Sequence, residues 1–215
     1  MSVTEPTVHV VDDDASFLAA ISRLLRANGF AIKTYSSARE FLDRRDADAP
    51  GCVLADLKMP GMNGLELQSE LEQSCNPLPI LILTGHGDIP SSVRAMRGGA
   101  EDFLEKLAPK KVVLDAVNRA LARDARERDT RVRQLELRAR FDTLSERELE
   151  VLSHVVQGQL NKQIAYDLGI HERTVKLHRT AITTKLNVQS VAELTRLTQE
   201  AGIFPSLART FPKGQ

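Results

Sequence analysis

The sequence predicts an α/β fold, a doubly wound sheet of five parallel strands, joined by a helical linker to an all-α part of four helices. Three observations carry that expectation. Short apolar runs alternate with amphipathic stretches through about residue 120, as expected of strands connected by crossover helices. A charged run then fills 110–141, and no strand-like run follows it.

The first strand is VHVV at 8–11, and residues 16–28 follow with Phe17, Ile21, Leu24 and Leu25 at helical spacing. Asn28 and Gly29 stop that helix, because both tolerate the turn a helix end needs. A second strand occupies 31–35, a short helix 38–45 and a third strand 52–55. Residues 65–73 are helical, PILILT at 79–84 is a strongly apolar fourth strand, and 89–97 is a helix. A brief fifth strand at 102–104 leads to a last helix from Lys110. In such sheets chemistry collects at the carboxyl ends of the strands. In the last third, Ser145 and Glu148 form a capping box ahead of Leu149, Leu152 and Val156. A helix over 161–168 stops at Gly169, another runs from Glu172 through Leu186, and Ser190 opens a fourth with Val191, Leu194 and Leu197 apolar. Two short helices about a glycine turn resemble a helix-turn-helix.

The chain thus divides into residues 1–122, a linker over 123–140, a helix-turn-helix part over 141–208 and a tail over 209–215. Leu114, Leu121, Val132 and Leu135 keep a rough seven-residue rhythm that Asp124 and Arg128 interrupt. A solvated helix and a dimer-forming coil both accommodate that pattern.

The 215 residues carry 29 basic and 29 acidic side chains, a balance that averages two unlike halves. Residues 1–120 hold 13 basic and 17 acidic side chains; residues 121–215 hold 16 and 12. The first half suits cations and the second a polyanion. No apolar run reaches the ~18 residues of a membrane span, so no membrane association is expected. Residues 1–7 lack the basic-then-apolar order of a secretory signal. Cys52 and Cys75 are too few for a disulfide framework or a cysteine-rich metal site. The expected location is the cytoplasm.

Asp12, Asp13 and Asp14 follow the first strand, Asp56 follows the third, Thr84 ends the fourth and Lys106 follows the fifth. Parallel topology gathers these strand ends on one edge. Carboxylates converging there repel one another, and a divalent cation resolves the repulsion. Mg²⁺ takes carboxylate, water and phosphate oxygens, so it suits this set better than metals preferring sulfur or imidazole. A lysine and a hydroxyl beside that cation stabilise charge on a transferring phosphoryl group, with Asp56 as the nucleophile.

VVDDD at 10–14, LADLKMPGMNGLEL at 54–67, ILTGHGDIP at 82–90 and DFLEK at 102–106 resemble the receiver domain of two-component response regulators. TGHGDIP is similar to the NarL/FixJ type, and the likeness spans about residues 5–122. It implies a flavodoxin-like receiver in which Asp12, Asp13, Asp56 and the backbone carbonyl of Lys58 hold Mg²⁺. By the same likeness Asp56 accepts phosphate from a sensor histidine kinase, and Thr84 and Lys106 bind the phosphoryl oxygens. Phe103 occupies the aromatic position that turns inward as Thr84 moves. Asp14 is read as the cap of the first helix and His86 as shaping its loop. One departure is Leu107, where most receivers carry a proline whose cis bond aims the lysine. A cis bond before a non-proline costs ~3 kcal/mol, so this loop either bears that strain or is trans.

On the helix from Glu172, Val175, His178, Ile182 and Leu186 share an inward side, leaving Lys176, Arg179, Thr180 and Thr183 more outward. Residues 160–190 hold five basic and two acidic side chains. LSERELEVL at 144–152, NKQIAYDLGI at 161–170 and ERTVKLHRTAITTKLNV at 172–188 resemble the LuxR-type helix-turn-helix. That likeness implies base reading by Lys176, Leu177 and Thr180. Arg173, Thr174, Arg179, Lys162 and Lys185 are expected on the phosphate backbone.

The expectation is therefore a DNA-binding transcription regulator, not an enzyme, switched by phosphorylation of Asp56. Its partners would be a sensor kinase, a double-stranded operator, RNA polymerase and, once activated, a second copy of itself. Control by dimer or partner contacts without phosphate is one alternative; an aspartyl-phosphate phosphatase is another.

Overall fold

The computed structural model describes residues 5–85 and 89–203; His86 and the tail over 209–215 lie outside them. The chain forms two compact units, residues 1–128 and 129–215.

In the first unit β1 (Thr7–Val11), β2 (Ala31–Tyr35), β3 (Gly51–Asp56), β4 (Ile80–Thr84) and β5 (Asp102–Glu105) form one parallel sheet, ordered β2-β1-β3-β4-β5. Between them run α1 (Ala15–Ala27), α2 (Ala38–Arg44), α3 (Gly64–Glu72) and α4 (Ile89–Arg97), with α5 (Lys110–Phe141) after β5. β3 and β4 read as continuous apolar runs because helices cover both sheet faces. Successive side chains still alternate. Val53, Ala55, Ile80 and Ile82 join Phe41, Leu67, Leu71 and Ala95 on one face. Cys52, Leu54, Leu81 and Leu83 join Ile21, Leu25, Val113, Ala116 and Val117 on the other. Each fully buried Leu, Ile or Val contributes about 1.5–3 kcal/mol, so this double-faced core fixes strand register. The strand order reverses between β1 and β3, the position where doubly wound sheets place their sites.

The charged run at 123–140 has partners at both ends. Asp124 is buried and accepts the Gly51 amide at 2.9 Å, while Arg128 Nε meets its carboxylate at 2.8 Å. The Arg128 guanidinium also donates to the carbonyls of Asp48 and Ala49, both at 2.7 Å. These two charges fasten α5 to the start of β3, which is why they break the apolar rhythm. Further along, Leu137 and Phe141 are buried in the core of the second unit, whereas Val132 and Leu135 are exposed.

The second unit adds α6 (Glu146–Val156), α7 (Asn161–Leu168), α8 (Glu172–Leu186) and α9 (Val191–Ala201). Ser145 and Glu148 make the expected capping box at the start of α6. Val151, Leu152, Val155, Ile164, Val175, Ile182, Leu186 and Leu194 form its core. Among the described residues, no helix is long and apolar enough to cross a membrane. Cys52 and Cys75 are both free thiols, the first buried and the second exposed.

One core residue gives the first unit a pH-dependent stability. His9 is buried on β1, with Nδ1 3.0 Å from the Tyr35 hydroxyl and its ring beside Tyr35 and Phe41. Burial, then the charges of Lys33 and Arg45, hold its imidazole down at about 4. An unfolded histidine titrates near 6.5, so between pH 6.5 and 4 the unfolded chain binds a proton that the folded chain does not. Stability from this group is complete above pH 6.5 and falls as the pH drops toward 4, by roughly 3 kcal/mol in total. Urea unfolding from pH 7 to pH 4.5 should show that loss in the wild type and a shallower one in His9→Leu. Parallel curves for the two proteins would contradict the assignment.

Candidate functional site

Sheet register alone brings the acidic residues to one rim. Val11 pairs with Ala55, so Asp12 leaves β1 level with Asp56 at the end of β3. Asp56 in turn pairs with Leu83, one residue before Thr84, and Thr84 pairs with Glu105, one residue before Lys106. Asp12 and Asp56 are buried, as is Thr84. Asp13 is exposed. One carboxylate oxygen from each of Asp12, Asp13 and Asp56 lies within 4.8 Å of the others.

Lys106 closes the rim. Its Nζ is 2.6 Å from Asp12 Oδ2 and 3.2 Å from Asp56 Oδ2, and it stands 4.7 Å from the centre of the Phe17 ring, within cation–π range. Its amide donates to the Thr84 carbonyl at 2.8 Å. Burial works against the Lys106 ammonium, but hydrogen bonds to Asp12 and Asp56 outweigh it and raise its pKa. Burial also raises the Asp12 carboxyl, and the pairing with Lys106 offsets only part of that rise. One ammonium does not neutralise three converging carboxylates, and a hard cation with oxygen ligands fits the donor set. The peptide bond between Lys106 and Leu107 is trans, and the lysine still reaches Asp56. Leu107 itself is 91% exposed.

The loop after β3 is built to sit close. A Cβ on Gly64 would stand 2.5 Å from the Asp56 carbonyl oxygen, so only glycine lets α3 begin there. Asn63 caps α3 and Glu66 completes its capping box. Lys58 is exposed and shares an open cleft with Asp13, Met59 and Arg94. Asp14 caps α1, accepting from the amides of Ser16 and Phe17, and its own amide donates to Asp12 Oδ1 at 2.9 Å. Phe103 is partly buried against the core on the α3 and α4 side. Phe17 and Gly64 also shape the site, and helical spacing and the quoted motifs do not single them out as site residues.

In the second unit, α8 turns Val175, Ile182 and Leu186 inward and leaves Arg173, Lys176, Leu177 and Thr180 exposed. Lys176 makes one loose ion pair with Glu172, at 3.5 Å. Leu177 is 64% exposed on this polar face, an apolar group suited to a thymine methyl. Thr174 is half-buried, and Thr180 bonds back to the Lys176 carbonyl at 3.1 Å. Arg179 donates to Asn161 at 3.1 Å, which ties α8 to the start of α7, next to exposed Lys162. At the start of α7 the Gln163 side chain accepts the Leu160 amide at 2.8 Å. Lys185 is engaged elsewhere. Its Nζ donates to Glu148 at 2.7 Å and to the Thr143 carbonyl at 3.0 Å.

A parallel sheet with a carboxylate rim, and a helical unit with a basic exposed helix, define a phosphoacceptor joined to a DNA reader. Residues 8–118 match the response regulator receiver domain, and residues 142–198 match the luxR family of bacterial regulatory proteins. The chain is 41% identical over 208 residues to the transcriptional regulatory protein FixJ of Rhizobium meliloti, covering 95% of this chain and 100% of that protein. It is 39% identical over 199 residues to the response regulator TodT of Pseudomonas putida, covering 93% and 88%. A solved structure of the response regulator StyR matches with a TM-score of 0.79 at 44% identity, covering 91% of this chain and 99% of that one. The chain belongs to the response regulators of the NarL/FixJ type, phosphorylation-controlled DNA-binding regulators of transcription.

The contacts of Lys185 assign it to the fold. Removing its charge leaves the largely buried Glu148 carboxylate, which also closes the α6 capping box, without its cation. Lys185→Met should destabilise the second unit by about 1–3 kcal/mol, and Lys176→Met should leave stability unchanged, both read by thermal unfolding. Equal melting of the two variants would return Lys185 to the list of phosphate contacts.

Proposed function

We propose that Asp56 accepts the phosphoryl group of a sensor kinase's phosphohistidine, and that this controls DNA binding by α8. The observation that carries the reading is the shared ammonium of Lys106, which stands between Asp12 and Asp56 with Asp13 in the same cluster. In the transfer an Asp56 carboxylate oxygen bonds to phosphorus as the donor's N–P bond breaks, and imidazole leaves neutral with a proton on its other nitrogen. Asp12, Asp13, Asp56 and the Lys58 carbonyl would hold Mg²⁺, which would supply positive charge to the transferring phosphoryl group. Lys106 releases Asp12 and meets one of the phosphoryl oxygens, and the Thr84 hydroxyl meets another.

Thr84 and Phe103 then shift together, altering the surface of α4 and β5. Ile89, Val93 and Met96 of α4 are exposed apolar groups, which supports pairing of two copies through that surface. Two copies place two α8 helices on half-sites about 10 bp apart or a multiple of that. There Lys176, Leu177 and Thr180 read bases, and Arg173, Thr174, Arg179 and Lys162 hold the backbone. Lys185 is left out because its ammonium is already occupied. A regulator of this build works in the cytoplasm and, as an activator, meets RNA polymerase.

Incubation with labelled acetyl phosphate and Mg²⁺ should give an acid-stable, hydroxylamine-labile label on the wild type. Asp56→Asn and excess EDTA should each abolish it, and label retained by Asp56→Asn removes Asp56 as the acceptor. On a DNA fragment selected from a random pool, Lys176→Ala should weaken binding by about 1–3 kcal/mol, or roughly 5- to 150-fold, and relax the preference at one base position. Uniform weakening across all sequences would make Lys176 a phosphate contact instead.

A further inference from the structure

The turn between α4 and β5 is held from two sides by side chains that the phosphoryl site does not use. From α3, the buried Gln68 donates its amide to the carbonyls of Ala95, at 2.9 Å, and Gly98. From α5, Arg123 donates to the Gly99 carbonyl at 3.2 Å and pairs with Glu101 at 3.5 Å, while Glu127 holds its Nε at 2.7 Å. Gly98 makes room for this. A Cβ there would stand 2.8 Å from Gln68 Nε2, so a side chain at 98 displaces the Gln68 amide.

The grip matters because α4 buries few of its side chains. The helix buries only Ser91 and Ala95, and Ile89, Val93 and Met96 face outward. Its amino end begins five residues after Thr84. Its carboxyl end is where Gln68 and Arg123 converge. Segments with few buried contacts are the ones that rearrange at low cost, and such a helix moves about whichever end is fixed.

We propose that Gln68 and Arg123 form a clasp that fixes the carboxyl end of α4 to α3 and α5. That end is then the pivot through which occupancy of the Asp56 site is passed to α5. The proposal rests on Asp56 being the phosphoryl acceptor. Both are positioning residues: they act on the α4–β5 turn and touch no reacting atom. What they supply is a fixed point for an element with two arrangements, the physical requirement for coupling between separate sites.

The test uses the full chain and three variants, Gln68→Leu, Gly98→Ala and Arg123→Met. Three quantities are read: acetyl phosphate labelling, hydrogen exchange of amides 98–100, and the gain in affinity for a selected DNA fragment on adding beryllofluoride, an acyl-phosphate mimic. All variants should label to the wild-type extent, exchange faster at 98–100, and lose at least about five-fold of the beryllofluoride gain. Gly98→Ala, which removes no polar group, should behave as Gln68→Leu does and supplies the result if that variant fails to fold. Unchanged exchange in all three, or a full gain despite faster exchange, overturns the proposal. A wild type that neither labels nor responds to beryllofluoride defeats the Asp56 reading instead, and the exchange data alone then decide whether the clasp holds the turn.

Discussion

The ammonium of Lys106, shared between Asp12 and Asp56, is the contact on which the first unit's chemistry depends. Two unit charges 4 Å apart interact by about 4 kcal/mol at the effective dielectric of a protein surface. Three carboxylates at one rim therefore oppose folding unless positive charge sits among them. Lysine supplies part of it and leaves Asp12 raised by burial, a site still short of positive charge. On the proposed function, a cation and a phosphoryl group together would redistribute that residual imbalance. Lysine suits the task because its ammonium is a compact charge on a flexible stem, able to exchange a carboxylate oxygen for a phosphoryl one without moving the strand.

The rim exists because register is not negotiable. A one-residue slip of β3 against its neighbours would send Val53 and Ala55 to the face now occupied by Cys52 and Leu54. It would also carry Asp56 away from the level of Asp12 and Leu83. The hydrophobic effect thus positions the charges: burial on both sheet faces sets where each strand ends, and Asp12, Asp56, Thr84 and Lys106 end or directly follow β1, β3, β4 and β5.

Fold and site were unequally legible in the sequence. Strands and helices announced themselves through period and capping, as with the continuous run of PILILT or the Ser145–Glu148 box. Asp12, Asp56, Thr84 and Lys106 were legible because each follows or ends a strand, and topology does the rest. Side-chain pairs distant in sequence were not. Asp124 and Arg128 read as interruptions of a coil rhythm, yet they bind residues 73 and 80 positions away. Lys185 is expected on the phosphate backbone from the LuxR-type likeness, and its ion pair with Glu148, 37 positions back, is not visible in that pattern. Periodicity reports which face a residue takes; it does not report which charge waits there. Gly64 was hidden for a related reason, since its need for closeness comes from a backbone carbonyl of another element.

The two halves of the chain carry opposite charge balances. With five basic and two acidic side chains over residues 160–190, one copy of the DNA-reading unit would displace few of the counterions on DNA and is expected to bind weakly. Weakness is useful here. A coupling of 1–3 kcal/mol, the usual size between two sites, changes an equilibrium by about 5- to 150-fold. Such a shift would be invisible on a module that already saturated its DNA. If two copies bind together as proposed, the same shift in pairing would decide whether both half-sites are held at once, because the second contact becomes intramolecular. On the proposed pairing, the three exposed apolar groups of α4 would supply a modest interface, the scale at which a single phosphoryl group could tip the balance.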